Sequence, residues 1–168
     1  TKDMEEIITV VKLIAPTFGG INLEDIESPK CYELLERLRE ELSMPVWHDD
    51  QQGTALVILA GLINALKIVG KDLNEVAISL IGAGAANMNV AKYLQIAGAK
   101  WEHMIVVDSK GILHAERADL RGDKMKWAIC EKTNQEGRRG GIAEAMRATD
   151  VCIALSTPGP GVIKKEWV

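Results

Sequence analysis

Apolar residues recur every three to four positions over residues 4–15, where Ile7, Ile8, Val11 and Ile14 (or Val10) share one side. That period predicts an amphipathic helix, ended by Pro16. "TFGGIN" then reads as a short strand, and its paired glycines permit another backbone or a ligand to come close. Ser28 and Pro29 form a capping and first-turn pair for a second helix, "KCYELLERLREEL", with Leu34, Leu35, Leu38 and Leu42 inward and charges outward. "MPVWH" is the next strand, with Pro45 at an edge or a strand start. A strand–helix–strand connection makes its strands parallel, so both end at one edge of the sheet. "LEDI" and "HDD" therefore leave the sheet on the same side.

Thr54–Val69 is almost continuously apolar. It is shorter than the ~20 residues of a membrane span and is interrupted by Asn64 and Lys67, which predicts a helix buried on most faces and ended by Gly70. "EVAISLIGAGAANMNVAKYLQIAGAKWEHMIVVDSKG" reads as strand, glycine turn, helix and strand. Val90, Leu94 and Ala97 form the inward side of that helix, and Gly98 stops it. The charged stretch from Glu116 to Gly140 has no clear period and holds one helix around Met125–Cys130. "GIAEAMRA" is a short helix, and "DVCIALSTPGPG" a strand leaving into a Gly/Pro loop. The sum is an α/β protein: a Rossmann-like, doubly wound, mostly parallel sheet with helices on both faces, preceded by a βαβ portion.

A hydrophobic content of 47% over 168 residues supports a packed core. The formal charge of −4 argues against a nucleic acid or an anionic membrane as partner, and leaves small charged metabolites. Cys31, Cys130 and Cys152 show no metal-type spacing and no signal peptide is visible, so a cytoplasmic protein with reduced thiols is expected. The chain opens on Thr1 with a helical pattern almost at once and closes on "KKEWV", which gives the expectation of a segment from a longer protein.

"GAGAAN" carries the first two glycines of a dinucleotide turn. Gly82 permits the tight turn, and Gly84 lets the backbone approach a pyrophosphate at the helix N-terminus. Asn87 stands where a glycine or alanine is usual, which predicts a slightly wider turn. Asp108 ends the next strand 24 residues after Gly84, near the expected spacing of about 20, and its charge favours NAD over NADP. Lys110 softens that preference. Ser156 and Thr157 leave another strand end, where they can meet a nicotinamide ribose, and Gly159 allows close approach. A plain turn is the alternative there.

Glu24 and Asp25 leave one strand, and Asp49 and Asp50 leave its neighbour. Four carboxylates on one rim repel unless a cation lies among them, and oxygen ligands of this kind suit Mg²⁺ or Mn²⁺. A helix cap at Asp50 and a solvated loop at Glu24 and Asp25 are the alternatives. His48 reads as a packing or supporting residue; His103 and His114 carry no pattern.

"APTFGGINLEDI", "PVWHDDQQGTALVILAGLINALK", "GAGAAN" and "VVDSKG", in that order, resemble the malic enzymes, particularly the shorter bacterial type, over nearly the whole chain. The resemblance implies oxidative decarboxylation of L-malate to pyruvate and CO₂ with reduction of NAD or NADP, and a homodimer. It implies Glu24, Asp25 and Asp50 as ligands of Mg²⁺ or Mn²⁺, with Asp49 supporting. Gly82, Ala83, Gly84, Ala85, Ala86 and Asp108 match its nucleotide-binding positions. It divides the chain into residues 1–50, the end of a metal and substrate domain, and 51–168, an incomplete NAD(P)-binding Rossmann domain. The family's catalytic lysine and tyrosine have no match here, and neither Lys12 nor Tyr32 replaces them, so the chain alone is expected not to turn over malate. Two other functions stay open: a different nicotinamide dehydrogenase, such as one acting on amino acids, and a non-catalytic nucleotide-sensing module.

Overall fold

Asp3 opens the first helix: its carboxylate accepts the Glu6 amide at 3.0 Å and closes the first turn of α1, Met4–Ile14. Ile8 and Val11 are buried on the inner side, whereas Val10 and Ile14 are exposed. Ala15, in the short 3₁₀ turn that carries Pro16, is buried instead. The computed structural model describes all residues 1–168, and they form two units, Thr1–Thr54 and Ala55–Val168.

In the first unit β1 (Ile21–Leu23) and β2 (Val46–His48) pair in parallel, with Leu23 opposite His48. The connecting helix, α2 (Lys30–Glu41), buries Leu34, Leu35 and Leu38 against Ile8, Val11, Leu23 and Val46. Ser28 does not cap α2. The Cys31 amide donates to the Glu27 carbonyl and the Tyr32 amide to the Pro29 carbonyl, so backbone acceptors satisfy the first turn. Outside, Arg37 pairs with Glu5 and Glu41, and Lys12 with Glu41, tying α1 to α2.

The second unit is built on β3 (Ile78–Ile81), with β4 (Met104–Asp108) on one side and β6 (Val151–Ala154) on the other, both parallel to it. β5 (Gly111–Ile112) turns back antiparallel on β4, a hairpin the sequence pattern did not predict. The order β5-β4-β3-β6 means that the chain first leaves β3 to one side and later returns to the other. A topological switch point therefore lies between β3 and β6, at their carboxyl ends.

Strand alternation assigns the two faces. Ile78, Leu80, Met104 and Val106 pack with α3 (Thr54–Val69), α4 (Ala85–Ile96) and α5 (Lys124–Cys130). Ile81, Val107 and Ile112 pack on the opposite face with α6 (Ile142–Met146) and with Val162 and Ile163. Helices thus cover both faces of a mostly parallel sheet, the doubly wound Rossmann-like arrangement.

Two helices depart from their patterns. α4 buries Met88, Val90, Ala91 and Leu94, but Ala97 lies beyond its end and is exposed. α3 is not buried on most faces: only Ala55, Leu62 and Leu66 are, while Val57 is 72% and Ile68 85% exposed. A π-helical turn, Asp49–Gly53, runs directly into it. The resulting 21-residue helical run, Asp49–Val69, is long and apolar enough by length and composition to cross a bilayer, although Ala55, Leu62 and Leu66 belong to the sheet's core. Gly70, at φ +67°, ends it, with the Lys71 amide on the Leu66 carbonyl.

Candidate dinucleotide and cation sites

The glycine turn sits at the switch point. Gly82 has φ +102°, and a Cβ on it would lie 2.4 Å from the Leu155 carbonyl oxygen, inside the backbone leaving β6. Only glycine meets both conditions. The Gly82 amide donates to the Val107 carbonyl and the Leu155 amide to the Ile81 carbonyl, at 2.8 and 2.9 Å, so the ladders continue one step past the strands. Gly84 caps α4 in extended conformation with no side-chain acceptor on the first turn. No atom lies within 4 Å of the place its Cβ would take, so its backbone faces open space at a helix N-terminus.

Asn87 pins this turn by hydrogen bonds to its backbone. Its Nδ2 donates to the carbonyls of Ile81 at 2.9 Å and Gly82 at 2.8 Å, and the side chain is fully buried. Hydrogen bonds here replace the close packing that a small residue would give.

Asp108 ends β4, but its carboxylate is already engaged. Arg117 grips it through Nη1 to Oδ1 at 2.7 Å and Nη2 to Oδ2 at 2.9 Å, and the Lys110 amide donates to Oδ1 at 2.9 Å. The Lys126 ammonium stands 3.8 Å away. The side chains of Asp108 and Arg117 are only 8% and 10% exposed. Burial pushes the Asp108 carboxyl up, yet the hydrogen bonds from Arg117 and Lys110 and the nearby positive charges outweigh it, and its pKa lies below the ordinary value. Asp119, bonded to Arg117 and Lys110, is also held low, and Arg117 is raised by both partners. The negative charge on which a preference for NAD rested is thus neutralised. Arg117 was missed by sequence reasoning; it lies nine residues on, in the stretch without period.

Asp108, Ser109, Lys110 and Arg117 border a cavity of about 450 Å³, closed on another side by Gly140–Ile142. A second, of about 480 Å³, is lined by Ala154–Gly159 and Gly161–Ile163, and includes Ser156 and Thr157. Both lie where strands of the second unit end.

In the first unit the parallel pairing delivers both acidic segments to one edge. The Asp25 amide donates to Asp50 Oδ2 at 2.9 Å, with Asp25 in left-handed conformation at φ +55°. The side chains of Glu24, Asp25 and Asp50 stand on neighbouring segments without being drawn around one point: no group of three His, Cys, Asp or Glu side chains is gathered closely enough to hold a metal. Local donors explain this. Glu24 accepts Asn22 Nδ2 at 2.9 Å, and Asp49 folds back over its own turn, where a Cβ on Gly53 would lie 2.1 Å from Oδ1. The donor set still fits a hard divalent cation in kind, being carboxylate oxygens on adjacent segments. One buried group also faces it unpaired: His48 is fully buried, neither ring nitrogen has a partner, and Nδ1 lies 3.9 Å from Asp50 Oδ2. Gln51 and Gln52, buried in the π turn, were not singled out from sequence. Gln52 Oε1 accepts the His48 amide at 3.1 Å and Arg39 Nη2 at 2.9 Å, and Gln51 Nε2 donates to the Cys31 carbonyl at 3.2 Å.

A doubly wound sheet with a glycine turn sealed into its switch point defines the class of dinucleotide-binding α/β proteins. Comparison with known proteins narrows that class. The family described as malic enzyme, NAD-binding domain, matches residues 51–166, and the malic enzyme N-terminal domain matches residues 1–39. The chain belongs to the malic enzyme family. It is 47% identical over 168 residues to an NAD-dependent malic enzyme of Geobacillus stearothermophilus, covering all of this chain and 34% of that one. An NADP-dependent malic enzyme of Halomonas elongata is 41% identical over 164 residues, 98% of this chain and 37% of its own. The crystal structure of the Entamoeba histolytica malic enzyme matches with a TM-score of 0.93 at 52% identity, covering 98% of this chain and 34% of that one. The chain spans 34% and 37% of the length of these two curated relatives.

Proposed function

We propose that this chain is the cofactor- and cation-binding part of a cytoplasmic enzyme that oxidises L-malate, releases CO₂ and leaves pyruvate while reducing NAD or NADP. The observation that carries this reading is Gly82 locked against Leu155, with open space over Gly84, inside a region matching the NAD-binding domain of malic enzymes. The turn from Gly82 to Ala86 would hold the pyrophosphate, Gly82 by its shape and the residues from Ala83 to Ala86 by their amides, and Ser156 and Thr157 the nicotinamide ribose. The adenosine ribose would lie by the Asp108–Arg117 pair. Because that pair is neutral, a 2′-phosphate meets no net repulsion from Asp108, and either cofactor is accepted. Similarity to relatives named for NAD and for NADP supports this breadth. Three free cysteines fit a reducing compartment.

Glu24, Asp25 and Asp50 would hold Mg²⁺ or Mn²⁺, with Asp49 supporting. When bound, the cation lowers the pKa of the malate hydroxyl and stabilises negative charge that develops on oxygen as CO₂ leaves. The chain's own part is to bind and orient: α4 presents its N-terminus to the pyrophosphate, and the β1–β2 edge presents carboxylates. A second reading, a nucleotide-binding module without turnover, is favoured by Glu24 and Asp50 already accepting hydrogen bonds, from Asn22 Nδ2 and from the Asp25 amide.

Calorimetric titration with NAD and NADP, with and without Mn²⁺, tests both. Dissociation constants between about 1 μM and 1 mM are expected for each nucleotide, the range of ordinary enzyme sites. Absence of nucleotide binding sinks the first reading and the second together. Nucleotide binding without any Mn²⁺ binding leaves the second.

A further inference from the structure

His48 ends β2 with a side chain that is 0% exposed, and neither ring nitrogen has a hydrogen-bond partner. An imidazole always carries at least one N–H, and leaving it unsatisfied in the interior is costly. Beside it stands the Asp50 carboxylate, whose Oδ2 is 3.9 Å from Nδ1, about an ångström beyond a hydrogen bond. The same Oδ2 accepts the Asp25 amide at 2.9 Å. One oxygen therefore has two nitrogens close by, the bonded Asp25 amide and the unpaired His48 Nδ1.

The surroundings hold the backbone of His48, while the Asp50 side chain is half exposed beside it. The His48 amide is bonded to Gln52 Oε1, which also accepts Arg39 Nη2, and Arg39 Nε in turn donates to the Val46 carbonyl at 2.9 Å. This chain of bonds clamps the end of β2 to α2 and to the π turn. The Asp50 side chain, at the head of that turn, is 45% exposed. Closing the 3.9 Å gap to Nδ1 asks about an ångström of movement from that half-exposed group.

We propose that His48 is the positioning residue for Asp50: its Nδ1–H takes the carboxylate when that group turns to bind a divalent cation, and so fixes which way the ligating oxygen points. The inference rests on Asp50 being a cation ligand. It gives the buried N–H the partner it lacks, and it explains why a fully buried histidine directly precedes the two aspartates. Carboxylate ligands elsewhere are held by such outer partners, whose loss typically costs 10–100-fold in metal affinity.

The test is a Mn²⁺ titration of the whole chain, with free ion read by electron paramagnetic resonance, on the unaltered protein, His48→Asn and His48→Gln. Asparagine sets an amide near the place of Nδ1, and glutamine reaches toward that of Nε2. The glutamine variant is expected to bind Mn²⁺ about tenfold more weakly and the asparagine variant within about threefold of the unaltered chain. A second measurement needs no substitution. With only three histidines in the chain, ¹⁵N spectra of the imidazoles resolve each ring. Mg²⁺ should turn His48 alone into an Nδ1-protonated, hydrogen-bonded ring. Equal Mn²⁺ affinity in all three proteins, equal loss in both variants, or a His48 signal indifferent to Mg²⁺ overturns the proposal while leaving the cation site standing. If the unaltered chain binds no Mn²⁺ at millimolar concentration, the cation reading itself fails and this one falls with it.

Discussion

Gly82 and Asp108 show how differently two single residues can be constrained. Gly82 is bound by sterics: a methyl group there meets the Leu155 carbonyl at 2.4 Å in a conformation, φ +102°, that side chains rarely adopt. Gly82→Ala is expected to cost about 2 kcal/mol or more in urea denaturation, because backbone and not a flexible side chain must give way. It should abolish calorimetric nucleotide binding; unchanged affinity would show that the turn is no cradle. Asp108 is constrained by charge. Its folded pKa is depressed, so its contribution to stability is present above the unfolded value, near 3.8, and disappears as pH falls through the folded value. Asp108→Asn is expected to cost about 2 kcal/mol at pH 7, and to flatten the loss of stability of the unaltered chain below about pH 4. A parallel acid limb in both proteins would refute that assignment. The glycine was legible because its motif is local, with strand, turn and helix in one run of sequence. The fate of Asp108 was not, since its partner Arg117 comes from a stretch whose order arises only on folding.

Elements were legible where one face alternates with another. α2 follows its pattern, and the parallel pairing of β1 and β2 follows from their connection. α3 did not follow, because a helix apolar all round has no face for the period to reveal, and composition cannot tell burial from exposure. β5 escaped because two residues are too few to alternate; its pairing depends on Gly111 at φ +117° beside the Gly140 carbonyl. The π turn before α3 carried a signal in "DDQQG" whose meaning is geometric. Without a Cβ at Gly53, the Asp49 carboxylate can fold back over the turn. Gly53→Ala forces that carboxylate out, and since only a side chain must move, stability should change by less than about 1 kcal/mol. Mn²⁺ affinity should nevertheless fall severalfold. A variant that keeps wild-type affinity would remove Asp49 from any role at the cation site.

At the scale of the whole chain, the apolar interior is divided. The core of Ile8, Val11, Leu23, Leu34, Leu35, Leu38 and Val46 lies entirely within Thr1–Thr54, and the two cores on the faces of the β3–β4–β6 sheet lie entirely within Ala55–Val168. A unit with its own core can unfold on its own account, and the smaller one buries a smaller share of its surface. Scanning calorimetry is therefore expected to show two transitions, the first unit melting at the lower temperature. Leu38→Ala, which empties a fully buried position, should lower only that transition, at a cost of about 3 kcal/mol. Ligands should divide in the same way. A nucleotide at a hundredfold excess over its dissociation constant stabilises the state that binds it by about 2.7 kcal/mol, which corresponds to about 10 °C for a unit of this size. NAD or NADP should raise the upper transition and Mn²⁺ the lower one. The assignment of carboxylates to one unit and the glycine turn to the other makes this a sharp test. If Mn²⁺ raised the upper transition instead, Glu24, Asp25 and Asp50 would not be its ligands. If one transition responded to every ligand and to Leu38→Ala alike, the chain would unfold as a single cooperative body despite its divided cores.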